Sequence, residues 1–92
     1  MKQLITQLLE TFSLSDIENK KDFEKLIKDF FLTKDYNVTK IRYFKEDSCI
    51  EGFVTISLDT TCVSVYILSF TLDYSTGDMS IEYDLISERI NN

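Results

Sequence analysis

One uninterrupted run of β-forming residues limits the folds open to this chain more than any other feature. The run extends from Cys62 to Asp73, with the sequence CVSVYILSFTLD, and it holds no proline, glycine or charge before Asp73. Because Val, Ile, Tyr, Phe and Thr pack well on a pleated surface, the run predicts the central strand of a sheet.

The apolar residues of this run change phase partway along it. The apolar residues first occupy alternate odd positions, Val63, Val65 and Ile67. They then occupy alternate even positions, Leu68, Phe70 and Leu72. Side chains of a strand alternate between two faces, so the change indicates either a bulge near residues 67–69 or a strand that is buried on both faces.

Helical periodicity precedes the sheet. Apolar residues recur at helical spacing over residues 2–12 and again over residues 23–31. The second helix has two candidate starts: Ser15, which has Glu18 at the capping-box position, and Asn19, which is also a good cap. The mixed charges on the polar side of this helix are typical of a solvated surface.

After residue 37 the period changes from helical to alternating, which predicts strands over residues 38–45, 50–59 and 62–73 and a last strand from residue 79. Tight turns are expected at residues 59–61 and at Thr76-Gly77, and residues 91–92 are expected to fray. The order predicts one α+β domain over residues 1–92. Two N-terminal helices (residues 1–35) would pack on one face of a four-stranded antiparallel β-meander (residues 36–90).

The composition removes most kinds of catalytic and metal site. There is no histidine, which is the commonest general base and zinc ligand, and Gly52 and Gly77 are the only glycines. The segment 73–78 resembles a calcium loop only slightly, since its glycine comes one position early for an EF-hand. We therefore expect no enzyme activity, no metal and no cofactor, and an enzyme that uses a carboxylate pair is the least favoured alternative.

The two cysteines, Cys49 and Cys62, lack the spacing of metal ligands or redox pairs. Inert thiols are expected, although a hairpin could bring the two close together. The chain has no apolar run long enough to span a bilayer and no signal peptide, so a cytoplasmic location is expected, or the host cytoplasm for a phage protein.

Charge is distributed unevenly along the chain. Residues 1–45 carry seven acids and nine bases, a net charge of +2, whereas residues 46–88 carry nine acids and no base, a net charge of −9. Arg89 brings the total to −6. An ordinary solvated surface interleaves both signs, so the segregation favours a functional acidic surface over one that serves only solubility.

The acids of this segment are the candidate partner-binding residues: Glu46, Asp47, Glu51, Asp59, Asp73, Asp78, Glu82, Asp84 and Glu88. Glu82 and Asp84 lie two apart on one strand and would project the same way at a distance of about 6.8 Å. Two steps along one DNA strand, about 3.4 Å each, cover a similar distance. The expected partner is therefore a protein with a basic groove.

In its size, its acidic surface and its lack of catalytic residues, the chain resembles the phage-encoded DNA-mimic proteins. It is similar in length and charge to the anti-restriction nuclease (Arn) proteins of T-even phages, a resemblance that rests on overall profile and on the acids from Glu46 to Glu88. The resemblance implies a homodimer that occupies the DNA site of a host protein, such as a modification-dependent restriction endonuclease or a histone-like nucleoid protein. The nine bases before Glu46 are a departure from the most extreme mimics.

Two other functions use the same features. An immunity protein or antitoxin would neutralise a nuclease with the same charges and an aromatic hot spot, and a plain dimerisation module would use charge only for solubility. Direct binding to DNA or RNA is not expected, because the predicted sheet lacks basic patches interleaved with aromatic residues. Without a bulge, Val63, Val65 and Ile67 would share a face with Phe53, which predicts a homodimer through that face or through an edge strand.

Overall fold

The computed structural model describes residues 1–59 and 62–90. Three helices precede four strands, which confirms the predicted α+β class and the antiparallel sheet. The helices are α1 (Lys2–Thr11), α2 (Leu14–Glu18) and α3 (Lys20–Leu32). The strands are β1 (Tyr36–Lys45), β2 (Cys49–Asp59), β3 (Cys62–Asp73) and β4 (Asp78–Ile90), and they lie side by side in that order. No helix in the described ranges is long and apolar enough to cross a bilayer.

Local hydrogen bonds explain where the helices begin. The side chain of Asn19 accepts hydrogen bonds from two backbone N–H groups in the first turn of α3, so the long helix starts at Asn19 and not at Ser15. The capping box forms two residues before the predicted one. In this box the backbone N–H and the hydroxyl of Ser13 donate to the carboxylate of Asp16, at 2.9 and 2.8 Å. The helical part therefore contains a short additional helix, α2, between the two that were predicted.

The strand β3 is an inner strand, as predicted, and its pairing with β2 is regular. The pairing with β2 runs from Val63 to Asp73 without a register shift, so there is no bulge at residues 67–69. The apolar residues at even positions from 68 to 72 are buried beneath the helices, and those at odd positions from 63 to 67 lie half-buried on the other face. The change of phase therefore marks a strand that has apolar residues on both faces.

An aromatic cluster joins the helices to the sheet. The ring of Phe23 on α3 is fully buried and lies directly over Gly52 of β2. The rings of Phe12, Tyr43 and Phe70 surround it at centroid distances of 5.8, 5.7 and 5.2 Å. Such aromatic pairs contribute about 0.5–1.5 kcal/mol each beyond the area that they bury. The cluster thus connects the end of α1 and the start of α3 to three strands.

The sheet is longer than the helices that cover it. The molecule extends 47 Å along its longest axis, whereas the 13 residues of α3 span about 20 Å. On β4 the side chains directed toward the helices become more exposed along the strand: Ile81 is 9 % exposed, Tyr83 37 % and Leu85 49 %. The predicted alternation of β4 is present, but the helices cover only its first half.

The turn between β3 and β4 forms as predicted. Gly77 has a φ of 72°, a left-handed conformation that glycine adopts without strain. Its N–H donates to the carbonyl of Asp73 at 2.7 Å, so the segment 73–78 is a hairpin turn. The tight turn expected around residues 60–61 and the fraying expected at residues 91–92 lie outside the described residues.

Cys49 is the first residue of β2 and Cys62 is the first residue of β3, so the two cysteines lie at opposite ends of this antiparallel pair of strands. Cys49 pairs with Asp73, which is at the other end of β3 from Cys62, a separation of about 36 Å along the strand. Cys49 is a free thiol. A disulfide between these two residues within one chain is therefore excluded by the register.

Replacing Gly52 by alanine tests the central contact of the core. An added Cβ would meet two atoms of the Phe23 ring at 2.7 and 3.0 Å, which is closer than van der Waals contact. We expect Gly52→Ala to lower the free energy of unfolding by about 1–3 kcal/mol, because the buried ring has little free space to move into. Urea denaturation followed by circular dichroism measures the change.

The control is Gly77→Asn, in a turn where nothing lies within 4 Å of an added Cβ. Asparagine tolerates the left-handed conformation, so the free energy of unfolding should change by less than about 1 kcal/mol. A Gly52→Ala variant as stable as the wild type would contradict the packing described here.

Candidate functional site

The side of the sheet turned away from the helices is named the open face, and the strand register assigns its residues. Four rows cross it from β1 to β4, and two of them end in charges of opposite sign: Arg42, Phe53, Ser69 and Glu82, and then Lys40, Thr55, Ile67 and Asp84. The central residues of both rows are half-buried, and the charged residues at the ends are exposed.

Opposite charges occupy the two edges of the open face. The basic edge consists of Lys40 and Arg42 on β1, and the acidic edge consists of Glu82 and Asp84 on β4. Neighbouring strands lie about 4.8 Å apart, so about 14 Å separates the two edges. The guanidinium of Arg42 lies over the ring of Phe44, 5.6 Å from its centroid, which stabilises it on this face. The open face is therefore dipolar and not uniformly acidic.

A second group of acids lies at the end of the sheet that carries the β1–β2 and β3–β4 turns. This group is named the acidic end: Glu46, Asp47, Glu51, Asp73 and Asp78. The backbone N–H of Tyr74 donates to the carbonyl of Ser48 at 3.1 Å and so joins the two turns. The ammonium of Lys45 donates to the carbonyl of Glu18 on α2 at 3.1 Å and is thus directed toward the helices.

The turn itself keeps Asp73 ionised. Its carboxylate accepts hydrogen bonds from the hydroxyl of Ser75 at 2.7 Å and from the backbone N–H of Ser75 at 2.9 Å. The hydroxyl bond, followed by the backbone bond, lowers the pKa of Asp73 below its ordinary value. At Asp16 the backbone N–H of Ser13, followed by its hydroxyl, lowers the pKa in the same way. Both carboxylates therefore carry a structural role as well as a charge.

The nine predicted acids do not form one surface. Five lie at the acidic end and Glu82 and Asp84 lie on the acidic edge, and the register puts Glu51, Asp73 and Asp78 on the same face of the sheet as that edge. Glu88 pairs with Ser64, which places it on the side of the sheet turned toward the helices. Asp59 belongs to the far end of β2, and its side chain is outside the described residues. The sequence interpretation missed the basic edge, which the alternation of Lys40 and Arg42 with Ile41 and Tyr43 signals.

Two grooves lie beside the helices. One has a volume of about 530 Å³ and lies between α1 and β4, where Lys2, Ile5 and Tyr83 are among the residues that line it. The other has a volume of about 510 Å³ and is lined by residues of the three helices, including Asp22 and Phe30. Within residues 1–59 and 62–90, no three His, Cys, Asp or Glu side chains lie close enough together to hold a metal ion.

Comparison with known proteins gives no relatives for this chain. No family model matches it, and no curated protein or solved structure is significantly similar to it.

Removing the hydroxyl of Ser75 tests the electrostatics of the acidic end. Ser75→Ala should raise the pKa of Asp73 toward its ordinary value, because the hydrogen bond that lowers it most is lost. The measurement is a carbon-13 NMR titration of the carboxyl groups. Ser80→Ala, an exposed hydroxyl on β4, is the matched control and should leave the pKa of Asp73 unchanged.

The same substitution changes how stability depends on pH. A carboxyl whose pKa is lower in the folded than in the unfolded state adds stability above the unfolded pKa, and that stability is lost as the pH falls through the folded pKa. We therefore expect Ser75→Ala to lose less stability than the wild type on acidification below about pH 4. An unchanged titration of Asp73 in Ser75→Ala would contradict the assignment.

Proposed function

We propose that this chain is a non-enzymatic cytoplasmic inhibitor that occupies the DNA site of a basic host protein by imitating DNA. The observation that carries the proposal is the acidic end, where five carboxylates gather on and beside two joined turns. A modification-dependent restriction endonuclease and a histone-like nucleoid protein both offer the basic groove that such a surface requires.

The spacing of the carboxylates supports imitation of a phosphate backbone. Asp73 and Asp78 of the acidic end face each other across β3 and β4, where neighbouring strands lie about 4.8 Å apart. This distance lies between one and two steps along a DNA strand, at about 3.4 Å of axis each. A groove that neutralises phosphates with Lys and Arg would attract this array over a long range.

The basic edge decides which acids take part. A basic groove that covered the whole open face would meet Lys40 and Arg42 and be repelled by them. Repulsion is weaker at the acidic end, where the ammonium of Lys45 donates to the carbonyl of Glu18 and is directed toward the helices. We therefore assign the partner contact to the acidic end rather than to Glu82 and Asp84.

Charge reversal at the acidic end tests this assignment. Glu46→Lys combined with Asp78→Lys changes one exposed residue at each turn. We expect the double variant to lose well over tenfold in affinity for the partner, because breaking charge pairs at an interface costs about 2–5 kcal/mol. The partner is captured from bacterial lysate on the wild-type protein and eluted with salt. Its affinity is then measured by competition with a fluorescent DNA duplex.

The control for that experiment is Glu10→Lys with Asp29→Lys, which makes the same change in net charge on exposed positions of α1 and α3. This control should bind the partner with nearly wild-type affinity. Equal losses in both double variants would show that net charge, and not the acidic end, drives binding. A captured protein that DNA does not displace would contradict imitation of DNA.

An immunity protein or antitoxin is the second candidate, and Tyr74 is the observation that favours it. Its ring lies in the β3–β4 turn beside the acids and is 40 % exposed. Exposed aromatic residues surrounded by charge are common hot spots where one protein binds another. An antidote of this kind would bind a single cognate toxin through this ring.

The substitution Tyr74→Ala separates the two candidates. An antidote anchored by this ring would lose about 2 kcal/mol or more of binding free energy, which is about thirtyfold in affinity. Binding by charge alone predicts a loss of less than about fivefold, together with a steep weakening as salt is raised. The competition assay with DNA, repeated at several salt concentrations, measures the loss of affinity and its salt dependence. A thirtyfold loss that does not depend on salt would favour the antidote.

A further inference from the structure

We propose that the open face is a self-complementary interface through which two copies of this chain form a dimer. The arrangement that carries the proposal is the basic edge on β1 and the acidic edge on β4, with half-buried side chains between them. Glu51, Asp73 and Asp78 of the acidic end lie at one end of the same face. The proposed function leaves the four edge charges unassigned, so substituting them tests the dimer separately from partner binding.

Two-fold symmetry determines which edges meet. Sheets that pack face to face lie about 10 Å apart with their strands within about 30° of each other. When the symmetry axis runs along the strands, β1 of one copy lies over β4 of the other. When the axis runs across the strands, β1 lies over β1 and β4 over β4, which brings like charges together. Only the first arrangement brings each basic edge against an acidic edge.

The facing charges are also opposite in sign at each position along the strands. Arg42 and Glu82 end one row of the open face, and Lys40 and Asp84 end the next. Rotation about an axis parallel to the strands keeps every residue at its own height, so each row faces the same row of the second copy. Arg42 then lies opposite Glu82 of the second copy, Lys40 lies opposite Asp84, and the symmetry repeats both pairs.

The size of the face fits a specific but modest dimer. Four strands about 4.8 Å apart and about 30 Å long give about 600 Å² per copy, or about 1,200 Å² in total. That total lies at the lower limit of specific protein interfaces, at about 1,200 Å². Phe53 and Ile67 are half-buried in the single chain, and Phe44, which contacts Phe53 at a centroid distance of 6.1 Å, is exposed. A second copy would remove these apolar groups from water.

Exchanging the charges of one edge at a time tests the interface. The first variant combines Lys40→Glu with Arg42→Glu, and the second combines Glu82→Lys with Asp84→Lys. Sedimentation velocity and light scattering at about 100 µM should show a dimer for the wild type. For each variant alone, the dissociation constant of the dimer should be at least tenfold higher. An equimolar mixture should form a heterodimer, because all the facing charges are again opposite.

A wild type that is monomeric at this concentration overturns the proposal. So does a mixture that stays monomeric while each variant keeps the circular dichroism spectrum and melting midpoint of the wild type. Dimers that persist in both variants would place the contact elsewhere, for example at the outer edge of β4. If a double variant fails to fold, Arg42→Glu mixed with Glu82→Arg provides the same test. All of these variants keep Glu46 and Asp78 unchanged, so their binding to the partner is measured as a separate property.

Discussion

The contact between Phe23 and Gly52 is the interaction on which the rest of the structure depends. Because β2 has no side chain at that position, the ring from α3 reaches the backbone of the sheet. Phe12, Tyr43 and Phe70 pack around the ring, and the hydroxyl of Tyr43 donates to the carbonyl of Ile17 at 2.6 Å. All three helices are thus held on one face of the sheet, and the other face is left without cover.

The uncovered face and the turns at its end supply the surfaces to which we assign function. The strands carry charges of opposite sign at the two edges of the face, and the turns carry carboxylates. The proposed dimer axis runs along the strands, so it would place the acidic ends of both copies at the same end of the assembly. A dimer would then offer a basic partner a broader acidic surface than one chain does, at the expense of repulsion between the two ends.

Much of this fold follows from local patterns in the sequence. The period of two from β1 to β4 and the turn at Gly77 are encoded by neighbouring residues, so the strands could be anticipated, and Asn19 was one of two candidate caps for the long helix. The short helix α2 was missed because its capping box begins at Ser13 and not at Ser15. The same alternation placed Glu82 and Asp84 together on one face of the sheet.

The functional surfaces were less predictable, because they depend on contacts between distant residues. Counting charge along the chain separates Arg42 from Glu82, yet the register brings them to opposite ends of one row. Glu88 was grouped with the other acids, whereas the register shift between Val65 and Tyr66 turns it toward the helix side. Strand order and register are set by tertiary pairing, which a single sequence does not specify.

The most direct test of the account is an NMR titration of nitrogen-15-labelled protein with the basic protein captured from lysate. We expect the backbone amides of residues 46–48 and 74–78 to shift most, and a saturating amount of DNA duplex to reverse these shifts. Shifts concentrated on α3, or shifts that persist when DNA saturates the partner, would contradict the claim that the acidic end occupies a DNA site.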